Sequence, residues 1–450
     1  MFFTDTAQLT ASSKATEGEP DLYLCELRVV AGRLNCDLTD VSADENAGES
    51  ADVQGTVLGE SENATEIYYV ANGRLGEAAV AGDCISIVRN PPPGAECNLY
   101  AYDSSTRTNR LIATLPNADG WDWEDETGSG NLGKLTSRVS PSGQYLAFMS
   151  EASLTGYDNV DARSGQRDEE VFVFDAGTDR LACASCNPTG ARPFGMFDPP
   201  AYPGLVVDRP QTWGGRWIAG SIPGWTKEES VRALYQSRYL NNEGRLFFNG
   251  ADALVPADTN GKEDVYEYEP SGVGSCHSGT SCVNLISSGT SSEESAFLDA
   301  SSSGDDIFFL TAAGLVPEDK DGAMDIYDAH VCSSTVPCAA GQSASVPPCA
   351  SNESCRSASA ALPEGVATPA SAAVAGIGNV SQIPPPPRAK PKPLTRAQKL
   401  TKALKACRTR RNRQKRAACE KQARKKYGPV KPKKKANPGS ARSHSREGAK

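Results

Sequence analysis

One spacing recurs along most of this chain: an aromatic residue is followed six positions later by a leucine. The pairs are Phe3 and Leu9, Tyr69 and Leu75, Phe148 and Leu154, Phe248 and Leu254, and Phe309 and Leu315. A second aromatic residue follows each pair, at Tyr23, Tyr100, Phe172, Tyr266 and Tyr327, and a polar residue precedes it by two positions, at Asp21, Asn98, Glu170, Asp264 and Asp325. The distance from the leucine to the second aromatic residue varies. This indicates a loop of variable length between two strands of a repeated unit.

The segments around these aromatic residues have the composition of short strands. In the fourth copy, residues 245–248 follow a turn at Gly244, and residues 265–268 are rich in aromatic and β-branched side chains. Strand-like segments also lie before the turn, at 237–240, and at the end of the unit, at 282–286. Four short antiparallel strands form one propeller blade, and blades stack because a single blade cannot bury both of its faces.

The sequence therefore predicts an all-β fold, a β-propeller of five to six four-stranded blades within residues 1–332. Five copies of the repeat are clear, and a sixth, degenerate blade is expected around residues 211–225. The first copy lacks a segment for its first strand. We therefore expect the chain to begin inside a repeat, with sequence missing upstream.

Two motifs of the repeat resemble those of a known family. Residues 140–150 read SPSGQYLAFMS, and the fourth copy contains NNEGRLFF and EDVYEY. This pattern is similar to that of the TolB-type, WD-repeat-like β-propellers of exported bacterial proteins, in which a Ser-Pro-Asp-Gly turn joins the first two strands of a blade. Residues 141–143 fit that turn well, and residues 242–244 fit it loosely. The resemblance implies a propeller fold and says little about function, because propellers host many functions.

The composition changes after the last repeat. Residues 333–390 are rich in Ala, Ser and Pro, with few large apolar residues, and predict a disordered linker that contains small cysteine loops. Residues 391–428 place Leu400, Leu404 and Cys407 on one helical stripe and predict a short, basic α-helical hairpin. Residues 429–450 are predicted to form a disordered basic tail.

The charge is distributed very unevenly. Of the 46 basic and 56 acidic residues, 24 basic and two acidic residues lie within 388–450, which gives this segment a net charge of +22 and the rest of the chain −32. A segment this basic attracts polyanions. We expect it to bind an anionic polymer or the acidic body of its own chain, and nucleic acid is the least expected partner for an exported protein.

The 14 cysteines fall into seven neighbouring pairs with none left over. The pairs are Cys25 and Cys36, Cys84 and Cys97, Cys183 and Cys186, Cys276 and Cys282, Cys332 and Cys338, Cys349 and Cys355, and Cys407 and Cys419. This pattern favours local disulfides and an oxidising compartment. The alternatives are a zinc site, which lacks a second pair of ligands, and a redox CxxC motif, which lacks a βαβ context.

The predicted location follows from these cysteines: the protein is exported and lies outside the cell or in the cell envelope. The first ten residues, MFFTDTAQLT, do not have the pattern of a signal peptide, so the signal sequence is expected upstream of this chain. No run of about 18 apolar residues exists that would span a bilayer.

Two loops have the residue types of a calcium site. Asp258, Asn260 and Asp264 place oxygen ligands around a turn glycine, and Asp319, Asp321 and Asp325 repeat the arrangement. The alternative is an Asx-type turn between two strands, which requires the same residues. Calcium is the only cofactor that the sequence suggests.

A cluster of tryptophans is a candidate binding site. Trp213, Trp217 and Trp225 could stack on a sugar or dock a protein, and the alternative is internal packing. Motifs for nucleophilic, zinc or phosphate chemistry are absent from the sequence, so no catalytic residue is predicted. The favoured hypothesis is a non-catalytic exported scaffold that binds a protein or an envelope polymer. The alternative is a polysaccharide-active enzyme or lectin that uses the central channel of the propeller.

Overall fold

Antiparallel β-sheet accounts for nearly all regular structure in the computed structural model. The structure describes residues 1–43, 49–76, 78–89, 91–123, 135–200, 213–223, 236–277, 279–332 and 413–427. Twenty strands in these ranges form six sheets, each of them open. The other elements are two short 3-10 helices, Ile87–Arg89 and Asn117–Asp122, and one α-helix, α1, at Arg413–Tyr427.

The sheets follow one another in chain order. The first contains β1 (Phe2–Asp5), β2 (Asp21–Val30) and β3 (Arg33–Asp40). The second contains β4 (Val53–Glu60), β5 (Glu66–Ala71), β6 (Glu96–Asp103) and β7 (Thr108–Pro116). The third contains β8 (Arg138–Val139), β9 (Tyr145–Ser150), β10 (Glu170–Asp175) and β11 (Arg180–Cys183).

A two-stranded ribbon of β12 (Met196–Phe197) and β13 (Trp217–Ile218) precedes the last two sheets. The fourth sheet contains β14 (Gly220–Ser221), β15 (Leu246–Gly250), β16 (Asp264–Glu269) and β17 (Cys282–Leu285). The fifth contains β18 (Ala296–Ala300), β19 (Asp306–Thr311) and β20 (Asp325–His330). The prediction of an all-β fold built from four-stranded antiparallel blades is confirmed.

The repeat spacing has a direct structural counterpart. The two aromatic residues of each copy lie opposite one another on the second and third strands of a blade, for example Phe248 and Tyr266 on β15 and β16. The same pairing joins Phe3 to Tyr23, Tyr69 to Tyr100, Phe148 to Phe172 and Phe309 to Tyr327. Ring centroids in these pairs lie 5.6 to 6.1 Å apart, within the range of favourable aromatic contacts.

The core lies between neighbouring sheets because the middle strands bury both of their faces. On β5, Ile67 and Tyr69 pack toward the first sheet, whereas Tyr68 and Val70 pack toward the third. This division follows the two-residue period of a strand. The core continues from the third sheet into the fourth and fifth through a cluster that includes Phe248 and Phe297.

The two end sheets differ from the middle ones. The first sheet begins with the counterpart of a second strand, and among the described residues no strand pairs with the free edge of β20. β20 is largely exposed, with Ile326 at 66% exposure, whereas every residue of the equivalent strand β16 is buried. A blade face is buried from solvent only where another sheet packs against it.

One predicted element needs correction, and three others lie outside the described residues. Residues 213–223 do not form a blade of their own, because β13 pairs with β12 and β14 joins the fourth sheet. Such short strands cannot bury a face by themselves. Three predictions lie outside the described residues: the linker at 333–390, the tail at 429–450 and the first helix of the hairpin. Helix α1 lies where the second helix of the predicted hairpin is expected.

Disulfides join four of the predicted cysteine pairs, Cys25–Cys36, Cys84–Cys97, Cys183–Cys186 and Cys276–Cys282. Cys332 and Cys419 are also disulfide-bonded. The pairing of Cys349 with Cys355 and the partners of Cys332 and Cys419 lie outside the described residues. Each of the four bridges closes a short loop within one blade.

Candidate functional site

A cleft of about 280 Å³ opens where the second, third and fourth sheets meet. It is lined by the end of β4, by β8 and by residues 236–240, which precede β15. Each of these segments precedes the second strand of its blade, in three successive blades. In a closed propeller the first strands line the central channel.

Arg138 on β8 fixes the geometry of this cleft. Its guanidinium donates hydrogen bonds to the backbone carbonyls of Ser137 and Leu135 and, across the sheets, to those of Pro223 at 2.8 Å and Ser237 at 2.9 Å. The side chain is only 6% exposed and lies over the ring of Tyr239 at 5.2 Å. Arg138 therefore ties the third sheet to the fourth. The sequence analysis did not single out this residue.

The side chains that line the cleft include more basic groups than acidic ones. Arg138, Arg238 and Gln236 contribute to its wall, and Glu60 is the single carboxylate among the lining residues. Most glycosidases use two carboxyl groups placed on either side of the glycosidic bond. The described lining does not supply such a pair, and its one aromatic residue, Tyr239, is fully buried.

A second concentration of charge surrounds Arg216. Its guanidinium pairs with Glu169, with Glu151 at 3.2 Å and with Asp122 at 3.4 Å, and Asp119 lies at 4.0 Å. Burial raises the pKa of Asp119 well above its usual value, and Arg216 opposes this shift. The carboxylates converge on one buried cation, so the cluster functions as a structural network linking the second sheet, the third sheet and the two-stranded ribbon.

Hydrogen bonds within the fourth sheet engage most side-chain oxygens of the first predicted calcium loop, although Asp258 Oδ1 has no hydrogen-bond partner among the described residues. The side-chain N–H of Asn260 donates to Asp264 at 2.7 Å. The side-chain oxygen of Asn260, Oδ1, accepts from the backbone N–H of Lys262 at 2.8 Å. Asp264 also accepts the Ser287 hydroxyl at 2.5 Å, and Asp258 accepts the Tyr266 hydroxyl. The bond from the Lys262 N–H to the Asn260 side-chain oxygen is that of an Asx turn.

The second loop retains a cluster of oxygen ligands. Carboxylate oxygens of Asp319, Asp321 and Asp325 lie within 4.8 Å of one another. Asp319 accepts the Tyr327 hydroxyl, and Asp321 accepts the backbone N–H of Ala323 at 2.9 Å. Asp321 and Asp325 are exposed, so an ion could reach them without any rearrangement of the core.

The tryptophan cluster is divided between environments. Trp213 is fully buried, and its indole N–H donates to Asp122 at 3.2 Å, so its ring is a packing group. Trp217 is half-buried on β13 and contacts Phe197, with ring centroids 5.4 Å apart. Trp225 lies outside the described residues. A stacking surface would have to use Trp217 and the exposed Phe197.

A further group of buried aspartates, which the sequence analysis did not single out, comes from two loops, one of the third sheet and one of the fourth. Asp161 and Asp168 lie between β9 and β10, and Asp252 lies after β15. Burial and the neighbouring Asp161 and Asp252 raise the pKa of Asp168 to about 8. Burial raises the pKa of Asp252 to about 6, although the Phe194 backbone N–H opposes this shift. The one sequence feature that could have pointed to this group is the pair Asp161 and Asp168, which lie on either side of an Arg-Ser-Gly-Gln turn.

Comparison with known proteins gives distant likenesses alone. No family model and no curated protein matches the chain. Among solved structures, TolB from Acinetobacter baumannii aligns at 13% identity and a TM-score of 0.26 over 70% of this chain. The β-propeller domain of the Trilobed protease from Pyrococcus furiosus aligns at 10% identity and a TM-score of 0.19, covering 61% of this chain and 68% of that domain chain. The chain spans about half the length of TolB, 48%.

The fold and these sites define a disulfide-bonded repeat protein of propeller-type blades. This class rests on the strand pairing within this chain. Among the helical residues that the structure describes, no segment has the length and apolar character needed to cross a membrane.

Proposed function

We propose that this chain is a non-catalytic, exported β-propeller scaffold that binds a protein or a polymer of the cell envelope. The observation that carries the proposal is the composition of the cleft, with two arginines, one glutamine and a single carboxylate. Because Arg138 already donates to four backbone carbonyls, a bound polar or anionic group would meet mainly Arg238, and the described lining does not supply the acid and base of hydrolysis. No described feature favours the enzyme alternative.

Export is supported by the cysteines. The blades contain four disulfides, and the sulfurs of Cys84 and Cys97 belong to buried residues that pack in the core. Disulfides of this kind persist in oxidising compartments and are rare in the reducing cytosol. We therefore place the scaffold outside the cell or in the envelope.

The basic C-terminal segment supplies a second binding element. Helix α1 exposes Arg416, Lys421 and Arg424 together with Lys425 and Lys426, and Glu420 is its only acid. A helix of this charge is attracted to anionic polymers, and the attraction weakens as salt screens it. Its partner is an anionic envelope polymer or the acidic body of the same protein.

A binding experiment tests the scaffold. The immobilised full chain and a variant lacking residues 388–450 are exposed to purified envelope glycans and envelope proteins at low and high salt. We expect the shortened variant to retain a partner, and the full chain to bind anionic glycans in addition and with a steeper dependence on salt. If the shortened variant retains no partner, the scaffold proposal fails. Release of reducing sugar from any glycan would instead establish the enzyme.

We also propose that the loop of the fifth sheet holds calcium through Asp319, Asp321 and Asp325. The convergence of these carboxylate oxygens supports this assignment. Carboxylate oxygens are the ligands that Ca²⁺ prefers, and binding to the folded state stabilises it. Calcium should raise the melting temperature of the chelator-treated protein, and Asp321→Asn should reduce this gain. An Asp321→Asn variant with an undiminished gain would exclude the site.

A further inference from the structure

The loop between β9 and β10 brings two aspartates to one end of a closed turn. The Asp161 backbone N–H donates to the Gln166 carbonyl at 2.8 Å, and the Asp168 backbone N–H donates to the Asn159 carbonyl at 3.0 Å. An isolated bridge between Val160 and Arg167 lies between these bonds. The backbone thereby fixes Asp161 and Asp168 on neighbouring segments.

Both carboxylates are buried, and three of their four oxygen atoms lack a hydrogen-bond partner among the described residues. Asp168 is 0% exposed, and neither of its carboxylate oxygens has a hydrogen-bond partner among the described residues. Asp161 is 1% exposed, and its Oδ2 also lacks a partner there, whereas its Oδ1 accepts from the backbone N–H of Arg163 at 2.9 Å. Burying an unpaired carboxylate is among the costliest arrangements in a protein.

Further carboxylates adjoin the pair, and the arginines near them point elsewhere. Asp252 is 6% exposed and accepts the backbone N–H of Phe194 at 2.9 and 3.0 Å. The Arg163 guanidinium lies over the Phe194 ring at 5.1 Å, and Arg216 pairs with the adjacent Glu169. No ion pair to Asp161, Asp168 or Asp252 occurs within the described part of the chain.

The backbone opposite Asp168 is shaped to its carboxylate. A Cβ atom placed on Gly195 would overlap the Asp168 Oδ2 atom, and Gly195 has a φ of +29°. The glycine therefore leaves a space that the carboxylate occupies. The segment that contains Gly195 also donates to Asp252 through Phe194, so three separate segments converge on this point.

We propose that a hard divalent cation of the Ca²⁺ type binds at Asp168 and Asp161, next to Asp252. Oxygen ligands from carboxylates and loop backbone suit such ions. The bound ion supplies the positive charge that these buried carboxylates otherwise lack. It joins the β9–β10 loop, the 194–195 segment and the loop after β15, and so fastens the third sheet to the fourth. This site is independent of the calcium loop of the fifth sheet.

Titration of the chelator-treated full chain tests the site. Calorimetric titration with CaCl₂, and separately with MgCl₂, gives the number of bound ions for the wild type, Asp168→Asn and Asp161→Asn. We expect each substitution to remove one bound ion and to abolish the associated rise in melting temperature. Both replacements are isosteric and remove negative charge, so the variants should fold, as circular dichroism would verify.

Asp158→Asn serves as the matched control, because it removes an exposed carboxylate of the same loop that already pairs with Arg192. It should leave the number of bound ions unchanged, and it does not alter the fifth-sheet loop. If the wild type and Asp168→Asn bind the same number of ions, the proposal is wrong. The same conclusion follows if millimolar Ca²⁺ and Mg²⁺ leave the wild-type melting temperature unchanged, because Asp168 is then a neutral buried acid.

Discussion

The hydroxyl oxygen of Tyr266 accepts a hydrogen bond from the backbone N–H of Leu254 at 3.2 Å. The same bond recurs from Leu9 to Tyr23, from Leu75 to Tyr100 and from Leu315 to Tyr327, at 3.2 to 3.4 Å. In these four blades it accounts for the six-residue step, because the chain must turn after the second strand and return over the ring on the third. In the third blade Phe172 has no hydroxyl, and the Leu154 N–H donates to the Ala152 carbonyl at 2.9 Å instead.

The Tyr266→Phe substitution should destabilise the protein by about 1–3 kcal/mol, because it leaves the Leu254 N–H and a buried Asp258 oxygen without a partner. Chemical denaturation of the full chain measures the change. Tyr327→Phe is the matched control, since it removes the same bonds in the more exposed fifth blade, and its effect should be smaller. Equal losses in the two variants would mean that the buried position of Tyr266 is unimportant.

Arg216→Met should cost about 3–5 kcal/mol, because it leaves Asp119, Asp122 and Glu169 buried without their cation. Arg192→Met provides the comparison. Arg192 pairs with Asp158 at 2.7 Å on the surface, where solvent screens the pair, and its removal should cost roughly 0–1 kcal/mol. Thermal melts of both variants give the comparison. Similar melting temperatures for the two variants would contradict the role of Arg216 as the centre of a buried network.

Glu66 should make the protein less stable as the pH rises. Burial and the nearby Asp103 raise the pKa of Glu66 to about 7, whereas Arg110 opposes the shift. The folded state then holds this proton more tightly than the unfolded state, in which a glutamate titrates near 4.3. The Glu66 contribution to stability is therefore greatest below the unfolded pKa and is lost as the pH rises through 7.

The Glu66→Gln variant isolates this effect. Because Glu66 is partly exposed, we discount the full shift and expect the difference in stability between variant and wild type to grow by on the order of 1 kcal/mol from pH 4 to pH 8. The variant should be the more stable protein at pH 8. Denaturation across this pH range measures the difference, and a pH-independent difference would show that Glu66 titrates normally.

Replacing Cys84 and Cys97 with alanine should destabilise the protein by roughly 3 kcal/mol, because their disulfide closes a loop with a sequence separation of 13 residues. The same change at Cys183 and Cys186, separated by three residues, should cost about 1 kcal/mol less because the closed loop is shorter. Denaturation midpoints under non-reducing conditions provide the test. A larger loss at the shorter loop would contradict the loop-entropy account.

Much of the blade structure was predictable because it depends on local patterns. The glycine turn, the alternating side chains and the aromatic spacing each specify a strand or its end, and β15, β16 and β17 fall where the sequence places them. The stretch around residues 211–225 was misjudged, since its aromatic and glycine residues resemble a blade but its strands pair with two different sheets. Pairing between distant segments has no local signature.

The candidate sites were less predictable for the same reason. The two Asp-rich loops have similar sequences, yet Asn260 turns its amide toward Asp264, whereas Asp319, Asp321 and Asp325 converge. Nothing in the sequence near Asp168 indicates that Asp252, 84 positions later, lies beside it. Charge clusters form from residues brought together by the stacking of sheets.

The sequence by itself determined the repeated unit, the strand positions and the pairing of neighbouring cysteines, because each depends on residues close together in the chain. The tertiary structure alone decided which carboxylates are buried, which arginines neutralise them and where the cleft opens. Those properties depend on the stacking of one blade against the next. Thus Tyr266 and Leu254 are linked by their spacing in the sequence, whereas Asp168 and Asp252 meet only because two sheets pack together.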